Sequence, residues 1–445
     1  MRILYTLLVY LLVPLVIAYE GWKALRHPEY RGRLGQRLGF VPRSPRNATV
    51  WVHAVSVGEV QAAAALVQAL RARRPELPVV LTTVTATGAQ RARALFGDTV
   101  HHCYLPYDLP GAVRRFLDRV QPQVAVILET EIWPTLYAAI GRRGIPIVLG
   151  SARLSAKSVG RYRRMASLVR DVLSADIAIG AQTAADAERF RAIGAPPDRV
   201  QVTGNIKYDL EIPPAQVAAG RDLRARWGAA RPVWIAGSTH EGEEDAALEA
   251  HARLRQRHAD ALLVLVPRHP QRFDAVRALL RRRGVEHAQR SSGQLPQPQD
   301  SVFLVDTLGE LQMLYAAADV AFVGGSLVPI GGHSLLEPAV LGLPILSGPF
   351  TQNAQDIAVL LQQGGALRIV QDADTFGREL LAWFDDPAAA RAAGAGGQRA
   401  VAANRGAVGR LLALIEPLLS PPGPAQAPEA ASPTAGGRSA ASSGP

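Results

Sequence analysis

The chain has 445 residues, more than one domain ordinarily holds, and its 48% hydrophobic content is ample for two cores. A formal charge of +11 favours an acidic partner: nucleic acid, an anionic membrane or a phosphorylated substrate. The single cysteine, Cys103, excludes an intrachain disulfide, and only three lysines (Lys23, Lys157 and Lys207) stand in a basic content dominated by arginine, so each lysine is informative.

Residues 3–19, "ILYTLLVYLLVPLVIAY", form one uncharged apolar run at the short end for a membrane span. No small-x-small site follows it, which disfavours a cleaved signal; a helix lying on the membrane surface is the third reading. Arg2 alone precedes the run, whereas Lys23, Arg26, Arg31, Arg33 and Arg37 follow, so the positive-inside rule puts the remainder in the cytoplasm. Residues 1–22 are thus expected to be an uncleaved inner-membrane anchor.

Short β-branched runs then alternate with helical stretches. The predicted strands are 50–55, 79–84, 124–128 and 145–149, and, after a Pro-Pro break, 233–236, 261–266, 302–305, 320–323 and 344–346. This alternation implies parallel sheets covered by helices. The expected organisation is α/β: a first Rossmann-like, doubly wound domain over 23–205, a linker over 206–220, and a second such domain with closing helices over 221–420, the two facing a cleft. The Pro, Ala, Gly and Ser-rich residues 421–445 read as a disordered tail.

Open parallel sheets bind ligands beyond the carboxyl ends of their strands, so the polar residues there are the candidates. Glu59 opens the helix predicted over 60–73; it fits a first-turn acid favoured by the helix dipole, which would lower its pKa, or a functional carboxylate. Glu129 and Glu131 end an apolar strand on one face, where alternation puts two like charges together, so one is expected to meet a cation or ligand. Arg153 and Lys157 follow the next strand, and Lys207 sits at the domain junction. In the second half, Gly237, Ser238 and Thr239 precede a helix and suit an anion held by backbone N–H groups. "VPRHPQRF" supplies Arg268 and His269, and "DTLGEL" follows the next strand. In "GGHSLLEPA", Gly331 and Gly332 allow close backbone approach, while Ser334 and Glu337 form a capping box or, alternatively, a nucleotide site in which amides take the phosphate and Glu337 the ribose. Pro338 is uncomfortable in that helix unless it starts later.

Neither a G-x-x-x-x-G-K-[ST] loop nor a strand-linked G-x-G-x-x-G is present, which weakens ATPase and dinucleotide readings. "HHC" at 101–103 places neighbours on opposite strand faces and makes a poor metal site. "DAD" at 372–374 reads as a helix cap.

Taken together, "RLG" at 37–39, "HAVSVGE" at 53–59, "ETEIWP" at 129–134, "ARLS" at 152–155, "GNIKYD" at 204–209, "GSTHEGEE" at 237–244, "VPRHPQRF" at 266–273, "DTLGEL" at 306–311 and "GGH..LEPA" at 331–339 resemble the 3-deoxy-D-manno-octulosonic acid (Kdo) transferases of lipopolysaccharide synthesis. The resemblance implies a GT-B glycosyltransferase that moves Kdo from CMP-Kdo to the lipid A precursor, lipid IVA, with inversion. It implies Glu59 as general base and Glu129 and Lys207 as stabilisers of the transition state. The CMP contacts would be Ser238, Thr239, Pro267, Arg268, Leu308, Gly309, Glu310, Gly331, Gly332, His333, Ser334, Leu335, Leu336 and Glu337, with Glu131, Arg153 and Asn353 in support. The family usually has Asn-Pro at Ser334-Leu335, and often Asn at Ser151 and His at Phe350, so this chain departs there. One phosphate needs less neutralisation than a pyrophosphate, so Arg and Lys are expected to replace a metal, with no cofactor. The implied partners are CMP-Kdo, the lipid A precursor and anionic inner-membrane lipid, and no nucleic acid. A GT-B-like nucleotide-sugar epimerase, a transferase with another donor, and a non-enzymatic anchored sugar-binding protein are the alternatives.

Overall fold

The computed structural model describes residues 2–26, 33–44, 49–164, 173 and 176–419. Within them, the strands of each half pair only in parallel. β1 (Thr49–His53), β2 (Val79–Thr83), β3 (His101–Tyr104), β4 (Pro122–Leu128), β5 (Ile147–Ala152), β6 (Ile177–Ala181) and β7 (Val200–Val202) form a sheet of order β3-β2-β1-β4-β5-β6-β7. β8 (Val233–Thr239), β9 (Leu262–Pro267), β10 (His287–Gln289), β11 (Val302–Leu304), β12 (Val320–Val323), β13 (Ile345–Ser347) and β14 (Leu367–Ile369) form a second, of order β10-β11-β9-β8-β12-β13-β14. The predicted α/β, two-sheet architecture is the one observed. Strands β3, β6, β7, β10 and β14 were not among those predicted.

The central strands are buried along their whole length, as β1 and β8 are, because helices cover both faces of each sheet. Their sequences are therefore continuous apolar runs rather than alternating ones. On one face of the first sheet Trp51 meets Phe116 edge-on at 5.0 Å; on the other, Val52, Leu66 and Val126 share a core with Leu411 and Leu412.

Those last two residues revise the predicted boundaries. Helix Ala407–Ile415, assigned from sequence to the second domain, has its buried side chains in the first domain's core. The chain crosses back, and Asp209 holds the crossing by accepting from Gly406 N at 2.6 Å and Val408 N at 2.5 Å. The predicted linker is also ordered: Ile206–Asp209 is a 3₁₀ turn, and a helix spans Pro214–Trp227. Ile206 packs into the first core and Tyr208, two residues on, into a core of the second. The tail over 421–445 lies outside the described residues.

In each sheet the strand order reverses next to the first strand, between β1 and β4 and between β8 and β12. A crevice opens at such a switch point, on the carboxyl side of the strands. The loops after β1, β4, β8 and β12 are those that carry "SVGE", "ETEIWP", "STHEGEE" and the glycine-rich segment 324–337.

Candidate active site

Among the described residues, three of the four non-glycine residues with positive φ are at carboxyl ends of strands: Glu129 (59°) after β4, Ser151 (53°) in β5 and Ser238 (59°) in β8. A side chain in this region costs about 1 kcal/mol or more, and such residues gather where the fold must aim a group. At Glu129 the left-handed turn ends the strand's alternation. Glu129 and Glu131 are therefore not successive residues of one strand face, as the sequence suggests, but lie on a loop beyond Leu128.

Glu129 Oε1 accepts from Lys207 Nζ at 2.7 Å, with both side chains about a third exposed. One of the two carboxylates thus meets a cation, as expected. The 3₁₀ turn that carries Lys207 is fixed from beneath. Asn205 Oδ1 accepts from Lys207 N at 2.9 Å, Asn205 Nδ2 donates to Gln182 Oε1 at 3.3 Å, and Gln182 Nε2 donates to Ser151 O at 3.0 Å. Glu131 is held differently: Trp133 Nε1 donates to its Oε2 at 3.0 Å, and burial raises its pKa.

Glu59 lies in the first turn of helix Val57–Arg73. Its Oε2 accepts from Val55 N at 2.7 Å and its Oε1 from Ser56 Oγ at 3.2 Å. Burial pushes its pKa up to about 7, and the charges of Glu129 and Glu131 add to the rise. The helix-dipole expectation of a lowered pKa fails, because loss of hydration outweighs the helix terminus and both hydrogen bonds. The three glutamates are close enough to act on one another, so the first domain presents a carboxylate cluster with one protonatable member and one ion-paired member.

The second domain presents cations and nitrogen heterocycles. Arg268 leaves the end of β9, tied by Arg268 N to Thr239 O at 3.0 Å. Its guanidinium has no ion pair among the described residues and acts electrostatically on Glu337, His333, His240 and Arg91. His240 and His333 stack at 5.2 Å with Nε2 to Nε2 at 2.9 Å, and His269 meets His240 edge-on at 5.3 Å. Burial lowers the His333 pKa to about 4 and also lowers that of His240, which favours uncharged rings. Half-buried Glu337 accepts from Gln312 Nε2 at 3.0 Å, and desolvation raises its pKa against the pull of Gln312, Arg91 and Arg268. Leu308 and Ile330 expose 66% and 49% of their surface on loops beyond the strands, apolar area available to a ligand ring.

A family model described as 3-Deoxy-D-manno-octulosonic-acid transferase (kdotransferase) matches residues 32–210. A 3-deoxy-D-manno-octulosonic acid transferase of Haemophilus influenzae is 39% identical, covering 94% of this chain and 99% of the relative. One from Bordetella pertussis is also 39% identical, over 93% and 99% respectively. The chain belongs to the Kdo transferase family. Among solved structures, a UDP-GlcNAc 2-epimerase from Neisseria meningitidis shares the fold with a TM-score of 0.53 at 15% identity, covering 83% of this chain and 99% of its own. The two-domain arrangement is that of GT-B glycosyltransferases.

Several site expectations for this Kdo transferase change in detail. Ser238 and Thr239 precede a helix as expected, but both are buried within β8, and helix Glu243–Arg255 starts four residues after Thr239. Thr239 Oγ1 donates to Glu244 Oε1 at 3.2 Å. Ser334 does not cap, and the Ser334–Glu337 capping box is absent: the helix is Leu336–Val340, with Leu335 at its N-cap and no side-chain cap. Pro338 consequently sits in the first turn, where its missing N–H is harmless. Of the four amides expected to face a nucleotide over 331–334, two are used internally, Gly332 N by Gly325 O at 2.7 Å and His333 N by Gly324 O at 3.3 Å. Asn353 braces this loop from outside, donating to Ile330 O and Gly332 O. Glu310 is a strut, bound by Arg290 at 2.5–3.1 Å and by Thr307, while Gly309 beside it takes a left-handed φ of 89°. Arg153 pairs with Asp356 at 3.3 Å and so links the two domains at the cleft edge.

Two residues went unnoticed in the sequence. Glu243 is fully buried and accepts from His240 N, Gly325 N, Ser326 N and Leu327 N at 2.7–2.9 Å, fixing the loop after β12. Arg91, on helix Ala86–Phe96, donates to Gln61 Oε1 and acts electrostatically on Glu337 and Arg268 of the other domain. It lies inside that helix, seven residues past the predicted strand 79–84, and no local pattern marks it.

Proposed function

We propose that this Kdo transferase moves Kdo from CMP-Kdo to the lipid A precursor lipid IVA at the inner membrane, inverting the anomeric centre, with Glu59 as general base and without a metal. The observation that carries this is the division of labour across the cleft. A carboxylate whose pKa burial brings to about 7 stands in the first domain, and Arg268, which has no ion pair among the described residues, stands with Glu337 in the second.

CMP sits against Arg268 and the 306–310 and 331–337 loops, its base on Leu308 and its ribose on Glu337. Arg268 and Arg91 face the phosphate from the two domains and take up charge as CMP leaves. Glu59 removes the acceptor hydroxyl's proton as the new bond forms, a role suited to a pKa near the working pH. Glu129 stabilises the electron-poor ketosidic carbon, and Lys207 holds it in place through their 2.7 Å contact. The N-terminal apolar helix attaches the protein to the membrane that carries the acceptor.

Purified protein given CMP-Kdo and lipid IVA should release CMP and add the mass of Kdo to the lipid, with turnover insensitive to a chelator. An epimerised sugar nucleotide formed without acceptor, or CMP binding with no transfer, would replace this reading by the epimerase or the binding protein.

A further inference from the structure

Helix Arg2–Arg26 is the element the mechanism leaves unused, and the first domain holds it at two points far apart along its axis. The helix packs against helices Arg33–Arg37 and Pro134–Gly141 of the first domain, and Tyr5 lies close enough to the Asp108 carboxylate to act on it. Asp108 is itself buried, accepting from Thr135 N at 2.9 Å and Leu136 N at 2.7 Å at the start of helix Pro134–Gly141. At the other end, Glu20 is close enough to Arg37 and Tyr107 to act on both. Tyr5 and Glu20 are 15 residues apart, about 22 Å at 1.5 Å per residue.

Those contacts are incompatible with a crossing. If Lys23 marked the cytoplasmic border, Tyr5 would lie about 27 Å further along, nearly across a hydrocarbon core of about 30 Å. Asp108 and the end of a domain helix would have to follow it into lipid, where a carboxylate is costly. The exposed side of the helix fits a different placement. The large apolar side chains exposed between Leu7 and Leu25, with Tyr10, Leu12, Ile17 and Tyr19 among them, are 39–82% exposed. At about 100° per residue they form a broad stripe over roughly 220° of the helix, and half-buried Tyr5, Val9, Val13, Val16 and Glu20 take the remaining side, toward the first domain. Cations rim this stripe: Lys23 lies over Tyr19 at 4.4 Å and Arg26 over Trp22 at 4.5 Å. In the loop that follows helix Arg33–Arg37, which the N-terminal helix contacts, the exposed Phe40 ring carries Arg115 at 4.6 Å and Arg119 at 5.9 Å.

We propose that helix Arg2–Arg26 lies in the plane of the cytoplasmic leaflet instead of spanning the bilayer. The leucine stripe enters the acyl boundary, and Lys23, Arg26, Arg115 and Arg119 meet anionic headgroups. This deepens the membrane attachment proposed above and takes the side of the membrane from that reading, but its test does not depend on Kdo transfer. A short polar tag with one cysteine is placed ahead of Met1 in a Cys103→Ser background and probed with a membrane-impermeant maleimide. Labelling in inverted inner-membrane vesicles and none in intact spheroplasts is expected. Labelling from the outside of spheroplasts overturns the proposal, whatever the enzyme's activity. With purified protein, Leu11→Asp/Leu15→Asp should bind phosphatidylglycerol-containing vesicles at least tenfold more weakly at unchanged CMP affinity. Leu11→Ser/Leu15→Ser serves if the first variant does not fold, and unchanged vesicle binding overturns the lipid-facing stripe.

Discussion

Lowering the pH from 8 to 5 should remove nearly all activity, and the size of the loss follows from the surroundings of Glu59. With its pKa pushed up to about 7 by burial, the carboxylate is about 90% ionised at pH 8 and about 1% at pH 5. If the ionised form is the base, kcat/KM falls about 90-fold over that range, because kcat/KM reports groups of the free enzyme. A glutamate at the ordinary value of 4.5 would lose only about a quarter. Ser56→Ala sharpens the test. Removing the hydroxyl that donates to Glu59 Oε1 at 3.2 Å costs the charged form about 1 kcal/mol, which moves the acidic limb up by roughly 0.7 of a pH unit. The assay is the initial rate of CMP release at subsaturating acceptor across the pH range, with circular dichroism as a check on folding. An acidic limb centred below pH 5, or a limb that Ser56→Ala leaves in place, would refute the assignment of Glu59 as a buried base.

Lys207→Met should reduce kcat by about 10–100-fold with little change in the urea midpoint, since its ion pair with Glu129 is a third exposed and worth little to stability; a large fall in midpoint with normal kcat would make the pair structural. Glu243→Ala should destabilise the second domain by about 3 kcal/mol or more by leaving four backbone N–H groups without their acceptor, read as a shift in denaturant midpoint. Arg91→Ala should lower kcat more than it weakens binding of CMP alone, because Arg91 acts from the opposite domain on Glu337 and Arg268 of the proposed donor site; equal losses in both would make it a simple nucleotide contact.

The sequence was most readable where one strand's own residues decide the outcome. The long central strands are apolar on both faces and announced themselves, and with them came the strand ends that carry Glu59, Glu129, Arg268 and Glu337. The strands missed at the far edge of each sheet, β7, β10 and β14, are three-residue segments (VQV, HAQ and LRI) with too little apolar content to register. What required tertiary structure stayed hidden. Glu243 finds three of its four donors more than eighty residues away, and Arg91 matters only through a domain contact no local pattern encodes. The capping box failed for the same reason: the bonds from Gly332 and His333 back to Gly325 and Gly324 fold the loop on itself and delay the helix to Leu336. The last helix was assigned to the wrong core because its amphipathic face does not say which sheet it will cover.

The central claim is that the base and the donor pocket belong to different domains and fail separately. CMP affinity by titration calorimetry and Kdo turnover, measured together on Glu59→Gln and Glu337→Gln, test it most directly. Glu59→Gln should bind CMP as the unaltered protein does while turnover falls about 10²–10⁴-fold. Glu337→Gln should weaken CMP by about 1–3 kcal/mol, the share of a charge-assisted hydrogen bond to ribose. Near-normal turnover in Glu59→Gln, or a loss of CMP binding in that variant with none in Glu337→Gln, would contradict the account.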